Sequence, residues 1–120
     1  MNVKTESPVD FEAALDTAGG DYRLLRTLVD LFVEEVPQML TSLRQAVELR
    51  DPRQLQESAH QLKGVVRYLH VDEAYEYTYL IEAIAESGPH WPMVEDLLDR
   101  LTLTLEPALQ TLAEYAEHSD

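Results

Sequence analysis

The sequence predicts an all-α domain: an antiparallel four-helix bundle with an additional short N-terminal helix. Three observations predict it. Apolar residues recur at alternating spacings of three and four through long segments, the period of a helix buried along one stripe. The segments are separated by short Asp-, Gly- and Pro-containing links, and short links between long helices make neighbours antiparallel. No sustained two-residue alternation bounded by hairpin turns appears.

Ser7-Pro8-Val9-Asp10 reads as an N-cap, a proline at the first helical position and an acidic third residue. They open a short helix through Phe11, Ala14 and Leu15. Gly19-Gly20 ends it, and Asp21 caps the next. That second helix spans about 28 residues, ~42 Å. It carries Leu24, Leu28, Leu31, Phe32, Met39, Leu43, Ala46 and Val47 on one side, and Pro37 predicts a kink within it. Asp51-Pro52 stops it and starts a third helix by cap and N1 proline. A fourth helix carries Ala74, Tyr77, Ile81 and Ile84 between Val71-Asp72 and Ser87-Gly88-Pro89. The last begins at Pro92 and runs through Val94, Leu97, Leu98, Leu101, Leu105, Leu109 and Leu112, with Pro107 expected to interrupt it. The expected organisation is a flexible N-terminus over residues 1–7, a helical domain over 8–116 and a flexible C-terminus over 117–120.

Composition narrows the class of function. With 120 residues the chain suits one domain with a single core. It has no cysteine, so neither a disulfide framework nor a thiolate metal site is available. No apolar run approaches the length that spans a bilayer, and Met1-Asn2-Val3-Lys4-Thr5-Glu6 lacks the apolar stretch of a signal peptide. The expected location is cytoplasmic, either alone or as the cytosolic piece of something larger. A formal charge of −14 argues against nucleic acid or an anionic membrane as partner.

The third helix carries the chemistry. Leu55, Ala59, Leu62, Val66 and Leu69 fall within about 40° of one direction at ~100° per residue. His60 then points about 135° away from that seam, toward solvent. Gln56, Gly64 and Arg67 share its side, and Lys63 lies at the flank. An exposed imidazole can accept a phosphoryl group without a cofactor, because phosphoryl transfer asks mainly for positioning and charge stabilisation. Lys63 can offset the charge of roughly −2 that the group brings, and disfavours imidazolium. Gly64 costs about 1 kcal/mol of helix propensity relative to alanine, and its missing side chain lets a partner's backbone approach His60. His70 lies ~15 Å further along on another face and is not expected to be a second acceptor. Tyr68, Tyr75, Tyr77 and Tyr79 read as packing and half-exposed surface.

From Asp10 to about Leu112 the chain resembles histidine-containing phosphotransfer (HPt) domains of two-component phosphorelays. The resemblance rests on Gly19-Gly20-Asp21, Leu31-Phe32-Val33-Glu34-Glu35-Val36-Pro37, Leu40, Leu43 and Ala59-His60-Gln61-Leu62-Lys63-Gly64. It implies that His60 is the phospho-acceptor, with Lys63 and Gly64 as its supporting pair. It further implies a phosphoryl carrier without kinase activity, taking the group from a receiver-domain aspartate and passing it to another receiver. The partners would be response-regulator receiver domains, including one carried by a hybrid sensor histidine kinase. Gln56 and Arg67 would contribute to docking. No cofactor is expected in this chain; the divalent metal would belong to the receiver.

The chain departs from the family pattern in two places. Val65-Val66 stands where two small residues are usual, and His70 where glycine is usual. Two other readings compete. Glu57 and His60 have the E-x-x-H spacing of di-iron bundles, but those sites need a second such pair and inward-facing ligands. The other is a docking adaptor without phosphotransfer, which fold similarity leaves open.

Overall fold

The computed structural model describes residues 8–118. Five helices follow one another: α1 (Phe11–Thr17), α2 (Tyr22–Leu49), α3 (Pro52–Tyr68), α4 (Asp72–Glu86) and α5 (Trp91–His118). No strand occurs among the described residues. The fold is the all-α bundle expected. α2 packs on α3 and α5, and α4 on the same two, so α2 to α5 form a four-helix square with α1 against α2. Side-chain links group the helix ends. At one end, Arg50 beyond α2 lies 5.3 Å over the Trp91 ring and 3.5 Å from Glu95, both on α5. At the other, the α1 residues Phe11 and Thr17 reach Tyr115 and His70. This is the antiparallel arrangement that short links impose.

The helix boundaries follow from capping. Asp21 accepts from the amides of Arg23 and Leu24, and Asp51 from those of Arg53 and Gln54. The start of α1 differs from expectation. Asp10 is its N-cap, accepting from Ala13 N at 3.0 Å. Pro8 lies in the bend before it, and Ser7 is outside the described residues. An aspartate competes well for a cap because its carboxylate also meets the positive end of the helix dipole. α5 runs on through Pro107 to His118 rather than being interrupted, and α2 is continuous through Pro37. Both prolines are exposed, so carbonyls that lose a helical donor lie near solvent. Beside Pro37, Thr41 Oγ1 donates to the Pro37 carbonyl and Gln38 Nε2 to that of Glu34.

The core seam of α3 is the one expected: Leu55, Ala59, Leu62, Val66 and Leu69 are all buried. In α2 the register is different. Leu25, Val29, Phe32 and Val36 fill the core of its first half, whereas Leu24 and Leu31 are 44% and 47% exposed. Leu28 and Met39 are only partly buried. In α4, Thr78 and Ala85 join Ala74 and Ile81 in the core, and Tyr77 and Ile84 pack at its margin. In α5, Leu97 and Leu109 are likewise marginal, while Ala108 is buried.

Two links use a left-handed residue that is not glycine. Arg50 (φ 52°) follows α2 and His70 (φ 56°) follows α3. After α3, Val71 N donates to Val66 O and His70 N to Arg67 O, the paired bonds of a Schellman turn. That turn explains the usual glycine at this position. His70 occupies it at a backbone cost, and its Nε2 lies 2.6 Å from Thr17 Oγ1, tying α1 to the α3–α4 link. His70→Ala keeps the backbone cost and loses the tie, whereas His70→Gly loses only the tie. The alanine variant is therefore expected to be less stable than the glycine variant by about 1 kcal/mol. Denaturant midpoints of the two proteins check this, and equal midpoints would contradict the strain assigned to His70.

Candidate functional site

The α3–α4 contact builds the site. His60 lies in mid-α3 opposite the seam, and its side chain is 69% exposed. Its position follows from the packing of Ala59 and Leu62, which fixes the rotation of α3 against the core. Glu82 on α4 follows the buried Ile81 and lies at the edge of the interface, with its side chain only 13% exposed. His60 Nδ1 is 2.7 Å from Glu82 Oε2, and Lys63 Nζ is 2.6 Å from Glu82 Oε1. One carboxylate thus spans two basic groups one helical turn apart. Both contacts are close ones, so the carboxylate is shared between the ring and the ammonium. Lys63 also lies 5.6 Å over the ring of Tyr79.

Charge and hydrogen bonding then decide which ring nitrogen faces the carboxylate as a donor. Burial pushes the Glu82 carboxyl upward, but the close contacts and positive charge of Lys63 and His60 outweigh this and hold it below the usual carboxylate range. The same contact with Glu82 raises Lys63 against the opposing effect of burial. An ionised carboxylate can only accept a hydrogen bond, so His60 Nδ1 is the donor. In the neutral ring the lone pair is then on Nε2. This is how a carboxylate orients a histidine in nucleophilic and metal sites generally.

The other expected site residues have distinct places. A Cβ built on Gly64 meets nothing within 4 Å, so no contact inside the domain requires glycine there. Gln56 lines the cleft beside His60 with Arg53, Glu57 and Glu82, and its Nε2 donates to Glu86 Oε1 at 2.9 Å. Arg67 is exposed in the last turn of α3. Lys63 is not the free cation that α3 alone suggests, because Glu82 occupies it. Glu82 itself escaped the sequence reading. Its only signal was a glutamate flanking the buried Ile81, and matching it to Lys63 needs the register of α3 on α4. No group of His, Cys, Asp and Glu side chains suited to a metal ion occurs among the described residues.

A second surface lies on the α2–α3 side. Leu28, Leu31 and Glu35 of α2, Val65 and Tyr68 of α3 and the adjoining Leu69 line a mainly apolar groove. Val65, one of the pair that stands where two small residues are usual in the family, helps to form this groove. Val66, the other, is fully buried in the seam.

The chain is a four-helix bundle that presents a carboxylate-paired imidazole on an exposed helix face. The family model described as Hpt domain matches residues 27–118, and the chain belongs to that family. Its general role is histidine phosphotransfer in phosphorelay signalling, and Hpt domains are phosphoryl carriers that interact with receiver domains. No curated protein and no solved structure matches the chain. No helix among the described residues is long and apolar enough to cross a membrane.

Two outcomes follow from the geometry. Gly64→Ala should stabilise the domain by up to about 1 kcal/mol through helix propensity, while Gly64→Gln should slow phosphotransfer far more than it lowers the melting temperature. Thermal melts and transfer rates on both variants check this; unchanged transfer in Gly64→Gln would remove the close-approach role. The lowered carboxyl makes the Glu82 contribution pH-dependent. The unfolded chain binds this proton at higher pH than the native one, so stability rises with pH across that window. The contribution is fully present above the ordinary value of 4.5 and is lost as pH falls through the lowered native value. Glu82→Gln should flatten this part of the stability–pH curve, as chemical denaturation at a series of acidic pH values will reveal.

Proposed function

We propose that His60 Nε2 accepts a phosphoryl group from the aspartyl phosphate of one receiver domain and passes it to the aspartate of another. The observation that carries this reading is the exposed imidazole whose Nδ1 is held 2.7 Å from the Glu82 carboxylate. In the forward step the Nε2 lone pair attacks phosphorus. The P–O bond to the receiver aspartate breaks, and its electrons leave on that carboxylate. Positive charge grows on the ring, and Glu82 stabilises it through Nδ1–H. Onward transfer reverses the electron flow: the N–P bond breaks, and the retained Nδ1 proton makes the ring a better leaving group.

The remaining roles follow from position. Lys63 offsets the charge of the phosphoryl group, Gly64 lets the receiver backbone come close, and Gln56 and Arg67 contact the receiver beside the nucleophile. The groove of Leu28, Leu31, Val65 and Tyr68 supplies apolar docking area on the side of α3 toward α2. A divalent ion, an acyl phosphate and the acceptor aspartate belong to the receiver, and this chain contributes the nucleophile and a rigid platform. The reading places the domain in the cytoplasm, where receivers, including that of a hybrid sensor histidine kinase, would meet it. A docking adaptor without phosphotransfer would have no chemical need for the imidazole–carboxylate–ammonium set, and this favours the carrier.

The test is transfer of label from phosphorylated receiver domains to the native chain and to His60→Gln. Label should appear on the native chain, be acid-labile and base-stable as an N–P bond is, and vanish in His60→Gln with the bundle still folded. ATP alone should give no label, since the sequence has no phosphate-binding Gly-rich loop. In the same assay Lys63→Ala should slow transfer about tenfold if it removes ~1.4 kcal/mol of stabilisation. Leu31→Glu should weaken receiver docking while leaving the chemistry at saturating receiver intact. Label that persists in His60→Gln would refute the assignment.

A further inference from the structure

The placement of Lys63 in the unmodified domain has a use beyond neutralising charge. Its ammonium rests between two groups of α4: 2.6 Å from Glu82 Oε1 and 5.6 Å over the ring of Tyr79. Its side chain is only 23% exposed, so stem and head are drawn into the α3–α4 seam rather than extended beside the imidazole. Glu82 Oε2 meets the ring nitrogen at 2.7 Å and Oε1 meets the ammonium at 2.6 Å, so the two basic groups share one carboxylate.

Phosphorylation supplies the competitor. A phosphoryl group on Nε2 brings a charge of about −1.5 to −2 and three acceptor oxygens, against one negative charge on Glu82. Both anions then flank the same ring, and their mutual repulsion is relieved if a cation moves onto the stronger. Lysine suits this because its ammonium is a compact charge with three rotatable donors on a flexible stem. The Glu82 carboxylate touches both residues, so Nζ starts on the same side of α3 as the imidazole. Arg53 is already 3.5 Å from Glu57 in an exposed pair, and Arg67 lies two turns along from His60, so Lys63 is the cation best placed to answer.

Resting on the phosphocarrier reading of His60, we propose that Glu82 and Tyr79 form a holding site for the Lys63 ammonium, which Lys63 leaves for the phosphoryl group once His60 is modified. The exchange divides the labour between the two charges. Lys63 goes with the phosphoryl oxygens, and Glu82 is left to the Nδ1–H of the ring, where it favours the protonated leaving group needed for onward transfer. No backbone movement is required: the phosphorylated and free domains differ to a partner in side-chain charge around His60.

The sequence makes the test direct, because Lys4 and Lys63 are its only two lysines. The full chain is labelled at lysine with carbon-13 and nitrogen-15, and the two sets of side-chain signals are assigned with Lys4→Arg. The native protein and Tyr79→Leu, altered at a half-exposed position, are compared before and after treatment with phosphoramidate, a chemical donor of phosphoryl groups to imidazole. Mass spectrometry with a His60→Gln control locates the modification. In the donor reaction the P–N bond of phosphoramidate breaks, the new N–P bond forms at Nε2, and ammonia leaves with a proton. Before modification the Lys63 side-chain signals should differ between native and Tyr79→Leu, since only the native ring shifts them. After modification of His60 they should coincide, having lost the influence of the ring. Glu82→Gln should displace the resting signal without phosphorylation. A Lys63 signal that still senses Tyr79 after His60 is phosphorylated would overturn the exchange and leave the carrier reading standing. Failure of His60 to take a phosphoryl group from either phosphoramidate or a receiver would overturn both.

Discussion

The Glu82 carboxylate is the group on which the arrangement of the site depends. It reaches from α4 to two basic side chains on α3, and being largely withdrawn from solvent it acts where water screens less. Alone, a carboxyl at that depth would be driven toward its neutral form. The paired imidazole and ammonium keep it ionised, and in return it fixes which ring nitrogen carries the proton. The orientation and tautomer of the imidazole and the place of the nearest cation are therefore set by one side chain. A helix-borne histidine needs such support, because an exposed imidazole on one long helix would otherwise sample several orientations.

The core supplies the precision this requires. Glu82 can reach both partners only if α3 and α4 keep their rotation and axial register. Ala59, Leu62 and Val66 on α3, with Ala74, Thr78, Ile81 and Ala85 on α4, are buried, and close packing of such side chains opposes sliding. The tight links hold the register from both ends. The Asp51 amide donates to the Ala46 carbonyl in the last turn of α2 and its carboxylate caps α3, so one residue joins the two helices. At the opposite end His70 accepts a left-handed backbone and is braced by Thr17, which joins α1 to the same scaffold. The short first helix thus acts as a tie across the end of the bundle.

The imidazole–carboxylate pair and the apolar groove lie on different sides of α3. His60, Lys63 and Glu82 occupy the side toward α4, and Val65 and Tyr68 face the apolar stripe of α2. A partner that covers Gly64, which lies between the two, touches both. The bulky Val65 enlarges the apolar part of this surface relative to the family pattern. The outer half of α2 contributes Leu24 and Leu31, which the core does not use.

Local chemistry made much of this legible in the sequence. The caps Asp21 and Asp51, the seam of α3, the outward direction of His60 and the open space at Gly64 all follow from helical geometry and the short-range hydrogen bonds of aspartate, proline and glycine. The sequence also carried the family, through a histidine, a lysine and a glycine at fixed helical spacing. Tertiary structure alone decided the rest. α2 contains two overlapping apolar stripes, Leu24-Leu28-Leu31 and Leu25-Val29-Phe32-Val36, and both satisfy the helical period. Only packing against α3 and α5 selects the second for the core and leaves the first on the surface. In the same way, no spacing along the chain relates Glu82 to His60 and Lys63, which lie on a different helix. Their contact exists because burial of apolar seams sets the register of α4 on α3, and burial depends on the whole bundle rather than on any one segment.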